Sequence, residues 1–329
     1  MTTTTAMRVR GYAGTSDVPE IVRIFNAAAA ADRVDEVWSE EGLTAWLSHA
    51  SEQFDPVRDA VIGEVDGRMV AVGRVDWADN RDGTTRDYRC NGAVDPEFLG
   101  RGYGTALLAA LEDLSRANAA THSHGRESVL MSFAAAGRPG EALLRANGYV
   151  PVRWFIDMVR PHLDDIVEPP LPEGIEQRPV TPDQHETIWR ANREAFRDHW
   201  GGSDESLEQL QRILEDPDND TSLWLTAWDG DEVAGGVWNE IRAAENDALG
   251  IRRGWLNSVY TRRPWRKRGL ASALIGRSLT LLKDRGMTSA ILGVDADNPT
   301  GANALYESAG FQVHDTFVAL RKPMDGPPT

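Results

Sequence analysis

Residues Trp265–Leu274, WRKRGLASAL, place three consecutive cations, Arg266, Lys267 and Arg268, directly before Gly269 and an apolar run. Leu270, Leu274, Ile275 and Leu281 or Leu282 fall near helical spacing, and Gly286 is placed to end the helix. The preceding GWLNSVYTRR reads as a strand by its Trp, Leu, Val and Tyr. The stretch is therefore a strand, a tight turn and a helix, with positive charge at the end where the helix dipole is already positive. In a chain of formal net charge −16, that arrangement is wasteful unless an anion sits there. Gly269 and Ala271 have little or no side chain, so a ligand can approach main-chain N–H groups that point one way. The direct charge of the three cations would add to the amides for a diphosphate. A solvated basic turn is the competing reading of this segment alone. The turn lacks the spacing G-x-G-x-x-G and the Gly-Lys-Ser/Thr of a P-loop.

The same unit occurs twice. A Thr or Ser helix opener stands near Thr15 and again at Thr181, where Pro182 suits the first helical position and Gln184 could complete a capping box. Asp-Gly turns join strand-like runs at Asp66-Gly67 and Asp229-Gly230. The glycine-rich turn entering a helix appears as LGRGYGTALLAAL and as RKRGLASALIGRSL. A helix ending in Gly-aromatic appears at Gly148-Tyr149 and at Gly310-Phe311. Offsets between equivalent positions stay within about 162 to 167 residues, and a repeat of that length fixes the architecture. Each half reads as mixed α+β, with a strand-turn-helix-strand unit at its centre. Between them Pro161–Gly174 carries four prolines and four carboxylates without periodicity, which marks a linker. The expected division is 1–160, linker 161–174, and 175–329.

Composition narrows the partners. At 329 residues the chain fits two domains. The single cysteine, Cys90, cannot form an internal disulfide, and neither a leader nor an 18-residue apolar run is present, so a cytoplasmic protein that neither spans nor anchors to a membrane is expected. The acidic balance argues against a nucleic-acid binder and suits a cationic small molecule. His185 and His199 lack partners at metal-ligand spacing, so no metal site is expected.

Arg266 to Ala271 resembles the (Gln/Arg)-x-x-Gly-x-(Gly/Ala) loop of the GNAT superfamily of acyl-CoA-dependent N-acetyltransferases, and the order of elements around it resembles tandem members of that family. The resemblance implies two tandem GNAT-like domains, each a mixed, mostly antiparallel sheet flanked by helices, and acetyl-CoA as co-substrate, its pyrophosphate on the loop amides. It places the acyl-CoA site at Val259, Tyr260, Thr261, Arg266, Lys267, Arg268, Gly269, Leu270, Ala271, Ser272, Asn298 and Asn303. Downstream, SAILGVDADNPTGANALYESAGF reads as a buried strand, a cap at Asn298 or Thr300, Pro299 at a helix start, and a helix to Gly310. In the family this helix carries a Tyr near the thioester sulfur, and Tyr306 matches that position. A phenol near pKa 10 can protonate the departing thiolate as a general acid. The bland alternative is a tyrosine packing its ring on the core.

The transfer also needs a base, because alkylamines are mostly protonated at pH 7. Family members often carry a Glu on the strand before the loop, and GWLNSVYT has none. Glu240 and Glu245, on or after the preceding strand, are the nearest candidates, with Glu240 taken as the base; an ordinary surface position is the simpler reading of each. In the first half, Arg101, Gly102, Tyr103, Gly104 and Thr105 form a second candidate loop, but Leu99 stands where Gln or Arg is usual and Leu144 lies opposite Tyr306. The second half is therefore expected to catalyse acetyl transfer to a small primary amine by direct attack. The first half is expected to bind CoA unproductively or to act as scaffold. Trp200, with Asp198, His199 and Asp204 nearby, is a candidate cover for a cationic acceptor. The competing function is a non-catalytic CoA-binding or scaffold protein, and a third is transfer to a peptide amine; the oligomeric state is not legible.

Overall fold

The computed structural model describes residues 6–48, 50–122, 125–202, 205–298 and 301–324. In chain order its elements are β1 (Arg8–Gly11), α1 (Val18–Asp32), α2 (Glu40–Leu47), α3 (Pro56–Asp59), β2 (Ala60–Val65), β3 (Arg68–Asp79), β4 (Thr85–Val94), α4 (Tyr103–Thr121), β5 (Glu127–Ala135), α5 (Pro139–Ala146) and β6 (Val150–Arg160). There follow β7 (Glu176–Arg178), α6 (His185–Ala195), α7 (Leu207–Glu215), β8 (Leu225–Asp229), β9 (Glu232–Glu240), α8 (Ala243–Leu249), β10 (Arg253–Thr261), α9 (Leu270–Asp284), β11 (Ser289–Asp295), α10 (Ala302–Ser308) and β12 (Gln312–Pro323).

These form two compact units, one of Met1–Trp154, Trp200–Gln209 and Phe317–Thr329, the other of Phe155–His199 and Leu210–Thr316. Within the first, β1 to β5 pair in sequence order and Phe317–Pro323 of β12 pairs antiparallel with β5. Within the second, β7 to β11 pair in sequence order and Phe155–Arg160 of β6 pairs antiparallel with β11. Each sheet is antiparallel apart from one parallel pair, β4 with β5 and β10 with β11. Those pairs bracket the glycine turn and its helix, a crossover that requires parallel strands.

Local chemistry explains the repeated landmarks. Asp66 and Gly67 both have positive φ, 51° and 77°, as a tight hairpin turn demands, and Gly230 has φ 56°. Gly148 and Gly310 end α5 and α10 in the left-handed region, and the next amides, Tyr149 and Phe311, reach back to Leu144 and Tyr306 carbonyls at 3.1 and 3.0 Å. Thr181 and Gln184 form the capping box. Thr15 does not cap: the turn Thr15–Asp17 has Gly14 as its cap, and Asp17 accepts from Ala13 N at 2.8 Å instead.

The second unit has an apolar core on each face of its sheet. One joins α9 and Tyr306 of α10 to Leu256, Leu292 and Val294, and the other joins α6 to Trp224, Trp228, Trp238 and Tyr260. Residues 161–174 pack on the first of these, with Leu163 buried and Ile166 and Leu171 against it.

Candidate active site

The two strands around the turn part company. Pairing of β10 with β11 covers Arg253–Trp255 against Ser289–Ile291 and goes no further. From Leu256 to Thr261 β10 pairs, among the described residues, with β9 alone, with a bulge between Leu256 and Ser258. The freed edge of β10 leads straight to the turn, where Lys267 and Gly269 have φ of 61° and 86°. A Cβ on Gly269 would meet nothing within 4 Å; the left-handed backbone, not space, requires glycine there. Gly269 is the N-cap of α9 without a side-chain cap, and the first α9 amide to find a carbonyl is that of Ala273, on Gly269 O at 3.1 Å. The amides of Leu270, Ala271 and Ser272 thus have no carbonyl partner among the described residues. Leu270 and Tyr260 bury their side chains in the cores, so only their main chain faces the gap.

The three cations are not equivalent. Arg266 donates to Thr261 O (3.0 Å), Asp198 (2.9 Å) and Ala195 O (2.9 Å), which ties the turn to the end of α6. Its guanidinium is spent on protein groups rather than held out to an anion. Asp198 also pairs with Arg263, and the two arginines, Arg263 foremost, hold its carboxyl well below the usual carboxylate range. Arg268 reaches Glu173 O at 3.0 Å. Lys267 is exposed and has no hydrogen-bond or ion-pair partner among the described residues.

Glu240 and Glu245 are buried, which corrects the surface reading of both. Glu240 ends β9 opposite Trp255 of β10. It accepts from Arg242 at 3.0 and 3.1 Å and from the Asn257 amide at the β10 bulge. Burial raises its proton affinity, and Arg242 opposes that shift. Glu245 accepts from Arg253 and Trp255 Nε1, each at 3.0 Å, and so holds the strand's start. Arg242 stacks on Trp255 at 4.2 Å. Because Trp238 and Glu240 lie two apart on β9, Glu240 faces the side covered by α6.

Tyr306 comes from the opposite face, in the core cluster of α9. Its ring lies 6.2 Å from that of Phe311, edge-on, its hydroxyl has no partner among the described residues, and burial pushes the phenol up to about 12. The cap of α10 is Gly301, with φ 77°, rather than Asn298; Pro299 and Thr300 lie outside the described residues. Asn303 donates to Ala296 O at 2.8 Å. Its Oδ1 and the Thr261 hydroxyl are buried without partners among the described residues.

The first unit repeats the frame with different side chains. Pairing of β4 with β5 stops at Arg89 and Met131. Beyond it lies a cavity of about 540 Å³, lined among others by Gly92, Gly100, Gly102, Thr105, Ser132 and Leu144. Gly100 and Gly102 have φ of 73° and 85°, and Gly102 caps α4. Tyr103 is buried in the core, Gly104 and Thr105 line the cavity, and Arg101 reaches Glu97 O at 3.1 Å. Where Glu240 faces Trp255, the first unit pairs Trp77 with Tyr88. The 163-residue offset of the Asp-Gly turns carries Trp77 onto Glu240, so this difference was readable in the sequence. Trp200 belongs to the first unit, with Arg321 4.8 Å from its ring; Asp204 lies outside the described residues. Among the described residues no group of three His, Cys, Asp or Glu could hold a metal, and no helix is long and apolar enough to cross a membrane.

Comparison with known proteins agrees with this fold. The model of the "Acetyltransferase (GNAT) family" matches residues 20–125 and again 185–311. A mycothiol acetyltransferase of Thermomonospora curvata is 30% identical over 316 residues, covering 93% of this chain and 94% of its own. One from Thermobispora bispora is 33% identical over 231 residues, 70% of this chain and 74% of its own. Among solved structures, a GCN5-related N-acetyltransferase from Sphaerobacter thermophilus superposes with a TM-score of 0.69 at 28% identity, covering 98% of both chains. A tandem GNAT protein from the clavulanic acid biosynthesis pathway shares the fold, with a TM-score of 0.70 at 16% identity over 98% of this chain and all of its own.

Proposed function

The chain belongs to the GNAT acetyltransferase family, and from that premise we propose that its second unit moves an acetyl group from acetyl-CoA to a primary amine by direct attack. The observation that carries this reading is Glu240, a buried carboxylate bonded to Asn257 at the bulge where β10 leaves β11. The co-substrate supplies a thioester, activated toward amines, on an arm that a diphosphate joins to the nucleotide. Its fit rests on the uncapped amides of Leu270, Ala271 and Ser272, the unpaired Lys267, and the orphaned Thr261 Oγ1 and Asn303 Oδ1. Arg266 keeps the turn in place and Arg268 adds charge.

Glu240 takes the ammonium proton, directly or through water, and its raised proton affinity brings it nearer the amine it must relieve. Attack then proceeds from the Glu240 face toward the gap. Tyr306 stands on the other face, where the sulfur departs. With its phenol near 12 it stays protonated at neutral pH, able to donate to the developing thiolate. A mycothiol-related amine is the first acceptor to test, given the name of the relatives. The first unit holds acyl-CoA at Gly100–Thr105 without turning it over, since Trp77 and Leu144 replace base and acid.

The test is release of free thiol from acetyl-CoA in the presence of amines, mycothiol-related, polyamine, aminoglycoside and peptide. Acceptor-dependent release lost in Glu240→Gln supports the proposal. Tight CoA binding with no release for any amine would favour the scaffold reading.

A further inference from the structure

The bank of the gap facing Glu240 carries a carboxylate with no assigned task. Gly293 of β11 pairs with Asp157 of β6, so both point to one face. That face is Glu240's own: Trp255 pairs with Glu240 on one side and Ile291 on the other, and Gly293 follows Ile291 by two residues. Gly293 is exposed and leaves room, since a Cβ there would stand 3.2 Å from Asp157 Oδ1. Asp157 is partly buried, and its carboxylate has neither hydrogen bond nor ion pair among the described residues. Arg253 and Arg242 influence it but bond Glu245 and Glu240, His314 opposes and Asp315 adds to its negative surroundings, and its carboxyl is pushed up to about 6, chiefly by burial. A carboxylate held in such a place awaits a donor from outside.

We propose that Asp157 is a specificity-determining residue, accepting hydrogen bonds from a second donor group, an ammonium or hydroxyls, on the arm of the acceptor whose reacting amine lies at Glu240. This rests on the acetyltransfer reading above. Three strand spacings separate β9 from β6, about 14 Å before the parting of β10 and β11 is added. A short monoamine therefore reaches Glu240 alone, whereas a longer acceptor ending in a donor reaches both.

The experiment measures acceptor KM and kcat for wild type and Asp157→Asn with primary amines of matched length ending in ammonium, hydroxyl or methyl. Expected is a KM for donor-ended acceptors raised about tenfold or more in Asp157→Asn, with the methyl-ended amine and acetyl-CoA KM unchanged. Whether the ammonium or hydroxyl arm responds identifies the group. The near-isosteric change keeps the fold, and Gly293→Ala, which crowds the same spot, should act in the same direction. Equal KM values in wild type and variant for every arm, or a rise shared by the methyl-ended amine, overturn the inference alone. No thiol release by wild type with any amine would overturn the acetyltransfer reading beneath it.

Discussion

Glu240 and Trp255 face each other across the β9–β10 ladder, and in the first unit the matching rungs hold Trp77 and Tyr88. One frame thus presents a carboxylate beside a bulge and the other an aromatic pair, so the difference lies in side chains rather than fold. Replacing the carboxylate should separate chemistry from architecture. Glu240→Gln is expected to lower kcat/KM at pH 7 by about 10² to 10³, the range of a general base. The deficit should shrink toward pH 10, where the amine loses its proton unaided. Arg242 keeps Glu245 at 3.8 Å, so thermal stability should change little. A deficit that stays constant with pH would show Glu240 to be structural.

Tyr306→Phe should cost about 10- to 100-fold in kcat while the dissociation constant of acetyl-CoA stays within twofold. The low end of the general-acid range is expected because a phenol near 12 gives up its proton reluctantly to a thiolate whose acid is near 8.5. Its titration lies above the working range, so wild type and variant should share the acid limb of the rate profile. An unchanged kcat would remove Tyr306 from the reaction.

The fold was legible because its signals are local. Asp-Gly turns, the Gly-aromatic helix ends and the apolar helix behind Gly269 each act through neighbours in sequence. Which edge each closing strand takes was not legible: Phe155–Arg160 and Phe317–Pro323, FIDMVR and FVALRKP, are short strand segments that could pair with any open edge, and only assembled sheets select one. For the same reason Asp157 escaped notice, since its place beside Gly293 comes from strand register. The burial of Glu240 depends on Arg242 and Asn257 satisfying it, which spacing does not announce. Arg266 looked like an anion ligand because charge is visible in sequence and its partners, Asp198 and two carbonyls, are not.

That difference among the cations can be measured. Lys267→Gln removes the exposed charge and leaves the backbone demand at φ 61° unchanged. The dissociation constant for CoA should rise about three- to tenfold at low salt, and the gap should close by 0.5 M salt. Arg266→Ala should instead destabilise the second unit by about 1–3 kcal/mol through its lost hydrogen bonds, with a binding defect insensitive to salt. Identical salt dependence in the two variants would contradict the assignment of Arg266 to the turn.

Asp157 carries a prediction about stability as well as specificity. Its folded carboxyl, near 6, lies above the unfolded value near 3.9. The native state therefore binds the proton more tightly, and stability falls as pH rises from about 4 to 6. Above that window the ionised carboxylate opposes folding by about 1–2 kcal/mol, the smaller figure reflecting its partial exposure. Asp157→Asn should accordingly raise Tm by on the order of 2–4 °C at pH 8 and by nothing at pH 4. A gain of equal size at both pH values would mean that packing, not charge, sets the difference, and a loss at pH 8 would mean that the carboxylate is satisfied in the native state. The expected gain sits at the residue proposed to hold the acceptor, where a destabilising charge is kept for binding.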